Sequence, residues 1–209
     1  SGVMDFSSEF TIAYWINCGT NASFSHFVMG SSSSLLKTAL YNNGTSGDQP
    51  RFYIVDSGGQ LENLRPTGAY PDWSDNTWHH LCFSYSEDLP KCYIDGVLYP
   101  NSFFSNPDMA STLRSTDEFI IGSRYNPPAA TTSGKFDSWT MWDLQLSNAQ
   151  VSELYNGGSV NFNPQGHSAA ANLVSWYKME GLTGGVLVDE QGNVNLTPIN
   201  VDASNFVSV

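Results

Sequence analysis

Phe10-Thr11-Ile12-Ala13-Tyr14-Trp15-Ile16-Asn17 alternates without a break. Successive side chains of a strand point to opposite faces, so Phe10, Ile12, Tyr14 and Ile16 share one face and Thr11, Ala13, Trp15 and Asn17 the other. Further strand-like runs are Phe24–Met29, Arg51–Asp56, Trp78–Tyr85, Lys91–Asp95, Phe119–Gly122 and Lys135–Asp143. Turn chemistry separates them at Asn42-Asn43-Gly44, Ser57-Gly58-Gly59, Asp95-Gly96 and Asn126-Pro127-Pro128. Many short strands joined by turns predict an all-β fold, an antiparallel β-sandwich or jelly roll. One short helix is expected over Ser147–Asn156, with Ser147 as N-cap, Gly157-Gly158 as the stop, and Val151, Leu154 and Tyr155 on one face.

Composition agrees with this reading. Only 13% of the 209 residues are charged, about half the usual share. The polar surface must therefore be built mainly from Ser, Thr, Asn and Gly, which suits turns better than solvated helices. Trp (6), Tyr (10) and Phe (12) supply a sizeable core. The net charge of −12 and the lack of any Lys/Arg cluster argue against nucleic acid and against an anionic membrane surface. No apolar run approaches the roughly 20 residues of a spanning helix. Ser1-Gly2-Val3-Met4-Asp5 lacks the basic start and apolar centre of a signal peptide. Cys18, Cys82 and Cys92 leave at least one thiol unpaired, and free, buried thiols are expected. A Cys82–Cys92 disulfide would need a Cα separation of about 4.4–6.8 Å.

Gly157–Ala171 is polar and carries one proline. The segment after it is too short for a second module. Residues 172–209 hold Trp176, Tyr177, Met179, Val186, Leu187, Val188, Leu196 and Ile199, and are expected to complete one domain over residues 1–209.

Three segments together resemble the laminin G-like branch of the concanavalin A-like lectin/glucanase superfamily. They are Phe10–Trp15; Trp78-His79-His80-Leu81-Cys82-Phe83-Ser84-Tyr85 with Tyr93-Ile94-Asp95-Gly96-Val97; and Phe136–Asp143 leading into Leu146–Val151 and Leu154–Asn156. Their order and spacing are specific where each alone is weak, and they cover most of residues 5–158. The resemblance implies two curved antiparallel sheets. Asn172–Glu180 followed by Val188-Asp189-Glu190-Gln191-Gly192-Asn193 resembles the segment that normally opens such a domain, yet here it closes the chain. That order is similar to virion structural proteins of marine phages. It implies a surface-exposed, non-catalytic module of a virion or other extracellular assembly, with other subunits of that assembly as partners.

The glucanase members of the superfamily carry Glu-x-Asp-x-x-Glu on one strand, so that paired carboxylates face one substrate. That run is absent here, and Glu62, Glu87, Glu118, Glu153 and Glu180 are scattered. His79 and His80 are adjacent in a strand and point apart, which denies them a shared metal. His26 and His167 stand alone. The chain is therefore read as binding without turnover, with no catalytic residue.

The resemblance also implies a structural calcium where the closing strands meet a loop. Asp137 matches the aspartate of the strand motif, and Asp189 and Asn193 match the closing loop. The alternative is that Asp137 hydrogen-bonds backbone amides and Asp189 makes a turn with Gly192. A hard cation would gather several oxygens at 2.3–2.6 Å. For sugar stacking, the loop Tyr70-Pro71-Asp72-Trp73-Ser74-Asp75-Asn76 offers the aromatics Tyr70 and Trp73 and hydrogen-bonding groups such as Asp72, unless Trp73 folds back on the sandwich edge. A lectin-like module for neutral glycans is thus the alternative to the virion reading.

Overall fold

The computed structural model of the chain describes residues 9–18, 25–29, 36–42, 48–55, 61–73, 75–86, 90–104, 120–122, 134–199 and 206. The expected turns at 43–44, 57–59 and 126–128, and the side chain of His26, lie outside them.

Eleven strands and one helix form two antiparallel sheets among the described residues. In chain order the strands are β1 (Glu9–Asn17), β2 (Ser25–Met29), β3 (Leu36–Asn42), β4 (Asp48–Val55), β5 (Leu61–Pro66), β6 (His79–Ser86), β7 (Lys91–Ile94), β8 (Val97–Tyr99), β9 (Asn101–Phe104), β10 (Lys135–Trp142) and β11 (Leu173–Tyr177). The front sheet runs β11-β10-β1-β6-β7-β8, the back sheet β2-β3-β4-β5-β9. The expected strand at 119–122 is not formed where it is described: Ile121 and Gly122 make a bend.

The alternation of β1 places Phe10, Ile12, Tyr14 and Ile16 between the sheets, beside Leu81, Phe83, Tyr85, Cys92, Ile94, Trp139, Met141 and Tyr177. Phe52 from the back sheet enters this layer, stacked on Phe83 with ring centroids 5.1 Å apart and tilted on Phe10 at 5.9 Å. The other face of β1 is buried too. Thr11, Ala13 and Trp15 are 0–2% exposed, because a second layer covers the outer face of the front sheet.

That layer is α1 (Asn148–Tyr155) and the chain that follows it. Ser147 and Gln150 close a capping box at its start, satisfying otherwise unpaired amides. Asn156 ends it in the left-handed region at φ 50°. Val151 and Leu154 pack on Ala13, Cys82, Tyr93, Trp142, Leu173 and Trp176. Thr11 Oγ1 donates to the Leu144 carbonyl at 2.7 Å and accepts from Leu146 N–H at 2.9 Å, fixing where the chain leaves the sheet for the helix. Gly157–Ala171 is no loose linker. His167 is buried against Trp142 at 4.7 Å, and its Nδ1 accepts from Ala169 N–H, so Nε2 carries the proton and donates to the Gln150 carbonyl at 2.9 Å.

The β7–β8 hairpin turns on Asp95 and Gly96, both at positive φ (52° and 75°), the two-residue geometry that matches strand twist. Asp95 Oδ1 accepts from His80 N–H and its Oδ2 meets His79 Nδ1 at 2.9 Å. In the β6–β7 register Cys92 sits opposite Phe83 and Cys82 opposite Tyr93. Paired residues share a face, so Cys92 points inward and Cys82 outward. All three cysteines are free and buried.

Candidate functional site

The pairing of β1 with β10 slips between Ala13 and Trp15. Ala13 faces Thr140, but Trp15 faces Asp137, not Ser138. One extra residue on β10 makes this a β-bulge, and Ser138 takes the left-handed region at φ 44°. The slip changes parity. Trp139 points into the core between the sheets; without the bulge Asp137 would follow it inward. With the bulge Asp137 shares the outer face of Trp15, while Phe136 returns to the inner layer against Tyr14.

On that outer face Asp137 and Ser138 border an open cavity of about 220 Å³, lined further by Val160, Asn161, Phe162, Asn163, Trp176, Lys178 and Glu180. Ser138 Oγ reaches the Asp137 carboxylate at 3.0 Å and the Val160 carbonyl at 3.3 Å, tying the bulge to the wall opposite. Asn163 Oδ1 accepts from Gln165 N–H. Lys178 lies over Trp176, its Nζ 4.9 Å from the ring centroid, and pairs with Glu190 at 3.2 Å. Asp137 is only 7% exposed, and Trp176 5%, with its indole Nε1–H unpartnered. Burial pushes the Asp137 carboxyl up to about 6, against the pull of Ser138's hydrogen bonds and with added repulsion from Glu180.

Of the three residues considered for calcium, Asp189 and Asn193 are engaged by backbone groups. Asp189 is 1% exposed, and its carboxylate accepts from three backbone amides, those of Trp176 (2.9 Å), Gln191 (3.0 Å) and Val194 (3.2 Å). Its lone pairs are directed at those amides; it clamps the closing loop onto β11. Asn193 Nδ2 donates to the Val174 carbonyl at 2.5 Å. Among the described residues no three His, Cys, Asp or Glu side chains gather in one place. The turn alternative describes Asp189, whose carbonyl accepts from Gly192 N–H at 2.8 Å.

The expected sugar loop divides in the same way. Trp73 is 3% exposed, packed in the inner core with its ring edge-on to His79 at 5.1 Å. It is a core residue at the sandwich rim and offers no face for stacking, which corrects the platform reading. Tyr70 is half-buried, stacked on Tyr99, with its hydroxyl donating to the Pro66 carbonyl. Asp72 is exposed on the loop, its carbonyl accepting from Asp75 N–H. Ser138, Asn161, Asn163, Trp176, Lys178 and Glu180 were not singled out from sequence as one site. They come together only through the bulge and the fold of the outer layer.

A family model described as the concanavalin A-like lectin/glucanases superfamily matches residues 1–152. No curated protein matches the chain. Solved structures do. A Bacteroides ovatus protein described as a candidate carbohydrate binder superposes with a TM-score of 0.65 at 20% identity, over 92% of this chain and 52% of its own. This chain therefore spans about half the length of that protein. A heptameric SAP-like pentraxin from Limulus polyphemus gives 0.54 at 14% identity, over 71% of this chain and 70% of its own. The binding domain of botulinum neurotoxin DC in complex with SialylT gives 0.52 at 11%, over 73% and 36%. With its family model matched across most of its length and two antiparallel sheets around a shared core, the chain belongs to the concanavalin A-like lectin/glucanase superfamily.

Proposed function

We propose that this chain is a lectin-like module that binds carbohydrate and does not cleave it. The observation that carries the reading is the cavity beside Ser138, about 220 Å³ and lined by acceptors (Asp137, Glu180) together with donors (Asn161, Lys178). A sugar hydroxyl both donates and accepts, so such a mixed lining suits a polyhydroxylated unit. The volume falls below the range of about 300–1,000 Å³ typical of drug-sized ligands, which points to one sugar unit. The carbohydrate-related neighbours resemble this chain at 20% identity or less and support the fold alone. With a net charge of −12 the partners are neutral or basic glycans. Single-site affinity is weak, and useful attachment comes from many copies displayed together, which raises avidity by about 10²–10⁴. We place this action outside the cell or on a particle surface. The test is a multivalent display of the module on a glycan array, alongside an assay for released reducing ends. Retention without release is expected. Release that disappears in Asp137→Asn or Glu180→Gln would overturn the non-catalytic reading, and an array with no retention would overturn glycan binding.

A second reading, assembly with other subunits at a virion or comparable surface, is favoured by one observation. Val97 (60% exposed) and Leu98 (42%) stand on β8, the last strand of the front sheet. An apolar strand at a sheet edge is a pairing surface. Sedimentation showing self-association that Val97→Lys with Leu98→Lys abolishes would support it; a monomer at all concentrations would count against it.

A further inference from the structure

We infer that the cavity beside the Ser138 bulge is specific for an amine-bearing sugar unit, its ammonium seated against Asp137 and Glu180 and its hydroxyls meeting the amide and indole donors around them. The inference deepens the carbohydrate-binding reading and rests on it.

The argument starts from charge. Asp137 is a carboxylate more than nine-tenths buried, and none of the ion pairs among the described residues includes it. A buried carboxylate without a cation is costly to keep. Glu180 adds a second negative charge near enough to repel it. The cation at the same cavity, Lys178, is engaged elsewhere, on the Trp176 ring and on Glu190 at 3.2 Å. A ligand that brings its own positive charge relieves this imbalance. An anionic sugar acid aggravates it, and a neutral sugar leaves it in place.

The second observation is the donor set. Trp176 lines the same cavity, and its Nε1–H has no partner. Asn163 has its amide oxygen already committed to Gln165 N–H. Asn163 is exposed and can give its amide protons to water, so the buried Trp176 Nε1–H is the donor left for a ligand oxygen. An ammonium for the carboxylates with a neighbouring hydroxyl oxygen for that donor is the pattern of an amino sugar with a free amine. A divalent cation fits less well, since it takes 6–8 oxygens and leaves an indole N–H unanswered.

The test uses the whole chain and two disaccharides, the glucosamine dimer and its N-acetylated counterpart, titrated calorimetrically at pH 7. The free amine should bind at least tenfold more tightly, and Asp137→Asn and Glu180→Gln should each remove most of that preference. Asp72→Asn, on the exposed loop away from the cavity, should leave it unchanged. Lowering the pH to 5 protonates Asp137 and should weaken binding even though the amine remains charged. Equal binding of both dimers, untouched by Asp137→Asn, would overturn the specificity and leave carbohydrate binding standing. Binding abolished by EDTA would overturn it in favour of a cation. If neither dimer nor any glycan on the array binds, both readings fall.

Discussion

Asp137 shows how one residue couples position to function. Its carboxyl is raised from the ordinary 3.8 to about 6 because the bulge turns it to the outer face, where it is buried. The protonated form fits that pocket, so its contribution to stability is complete below about pH 4 and is lost as the pH rises through about 6. At pH 7.5 the unliganded domain therefore carries an unfavourable charge. Asp137→Asn should stabilise it there by roughly 1–3 kcal/mol, a rise of several degrees in melting temperature for a chain of this size. The gain should shrink towards pH 4. Melting curves of both proteins across that range test this, and an Asn variant less stable at pH 7.5 would count against it. The adjacent histidines show the same dependence on facing. His80, wedged outward against Trp15 and Tyr155, is pulled down to about 4 by burial. At His79 burial also pulls down, but the Asp95 and Asp75 carboxylates outweigh it and raise the group.

Among the elements, the strands of the front sheet were the most legible. Phe10–Asn17 and Trp78–Tyr85 carry alternation that survives in β1 and β6, Lys135–Asp143 is the strand β10 although the bulge breaks its alternation, and Ser147 with Gln150 marks the start of α1. β3 and β5 were missed because Leu36-Lys37-Thr38-Ala39-Leu40-Tyr41-Asn42 and Leu61-Glu62-Asn63-Leu64-Arg65-Pro66 mix polar and apolar residues without a clean period of two. The bulge at Ser138 left no mark in the sequence either. A serine at φ 44° is held by its register against β1 and by its hydrogen bonds, not by its own preference. Asp137 could therefore be picked out by motif, but not the cavity it borders. Gly96 is the opposite case, an Asp-Gly turn readable at sight. Its φ of 75° strains any residue with a side chain, and a Cβ there would meet Tyr155 Cδ1 at 2.9 Å. Gly96→Ala should cost about 1–3 kcal/mol, from the left-handed backbone and the displaced ring together. Gly184→Ala, at φ 62° with nothing within 4 Å, should cost only the backbone part. Chemical denaturation of the two variants separates the contributions; equal losses would show that Tyr155 gives way freely.

For the whole molecule, the closing segment joins both layers. Tyr177 is fully buried in the inner core, Trp176 lies in the outer one, and β11 pairs with β10 as the front sheet's last strand. Asp189 and the Tyr177 hydroxyl, which donates to the Val194 carbonyl at 2.6 Å, pull the loop beyond β11 against it. We therefore propose that residues 172–209 complete one domain. A chain ending at Ala171 should lose its cooperative thermal transition, and a sharp transition near that of the intact chain would refute this. The same segment supplies one wall of the cavity through Trp176, Lys178 and Glu180, so the proposed binding site would be lost with it. We propose that carbohydrate is bound beside the Ser138 bulge and not at the Tyr70–Trp73 rim. The most direct measurement follows the indole N–H resonances of the labelled protein as a retained glycan is added, with Trp176→Phe and Trp73→Phe assigning two of the peaks. The account predicts that the Trp176 resonance moves in a saturable way while that of Trp73 stays in place. Saturable movement at Trp73, with Trp176 unmoved, would contradict it.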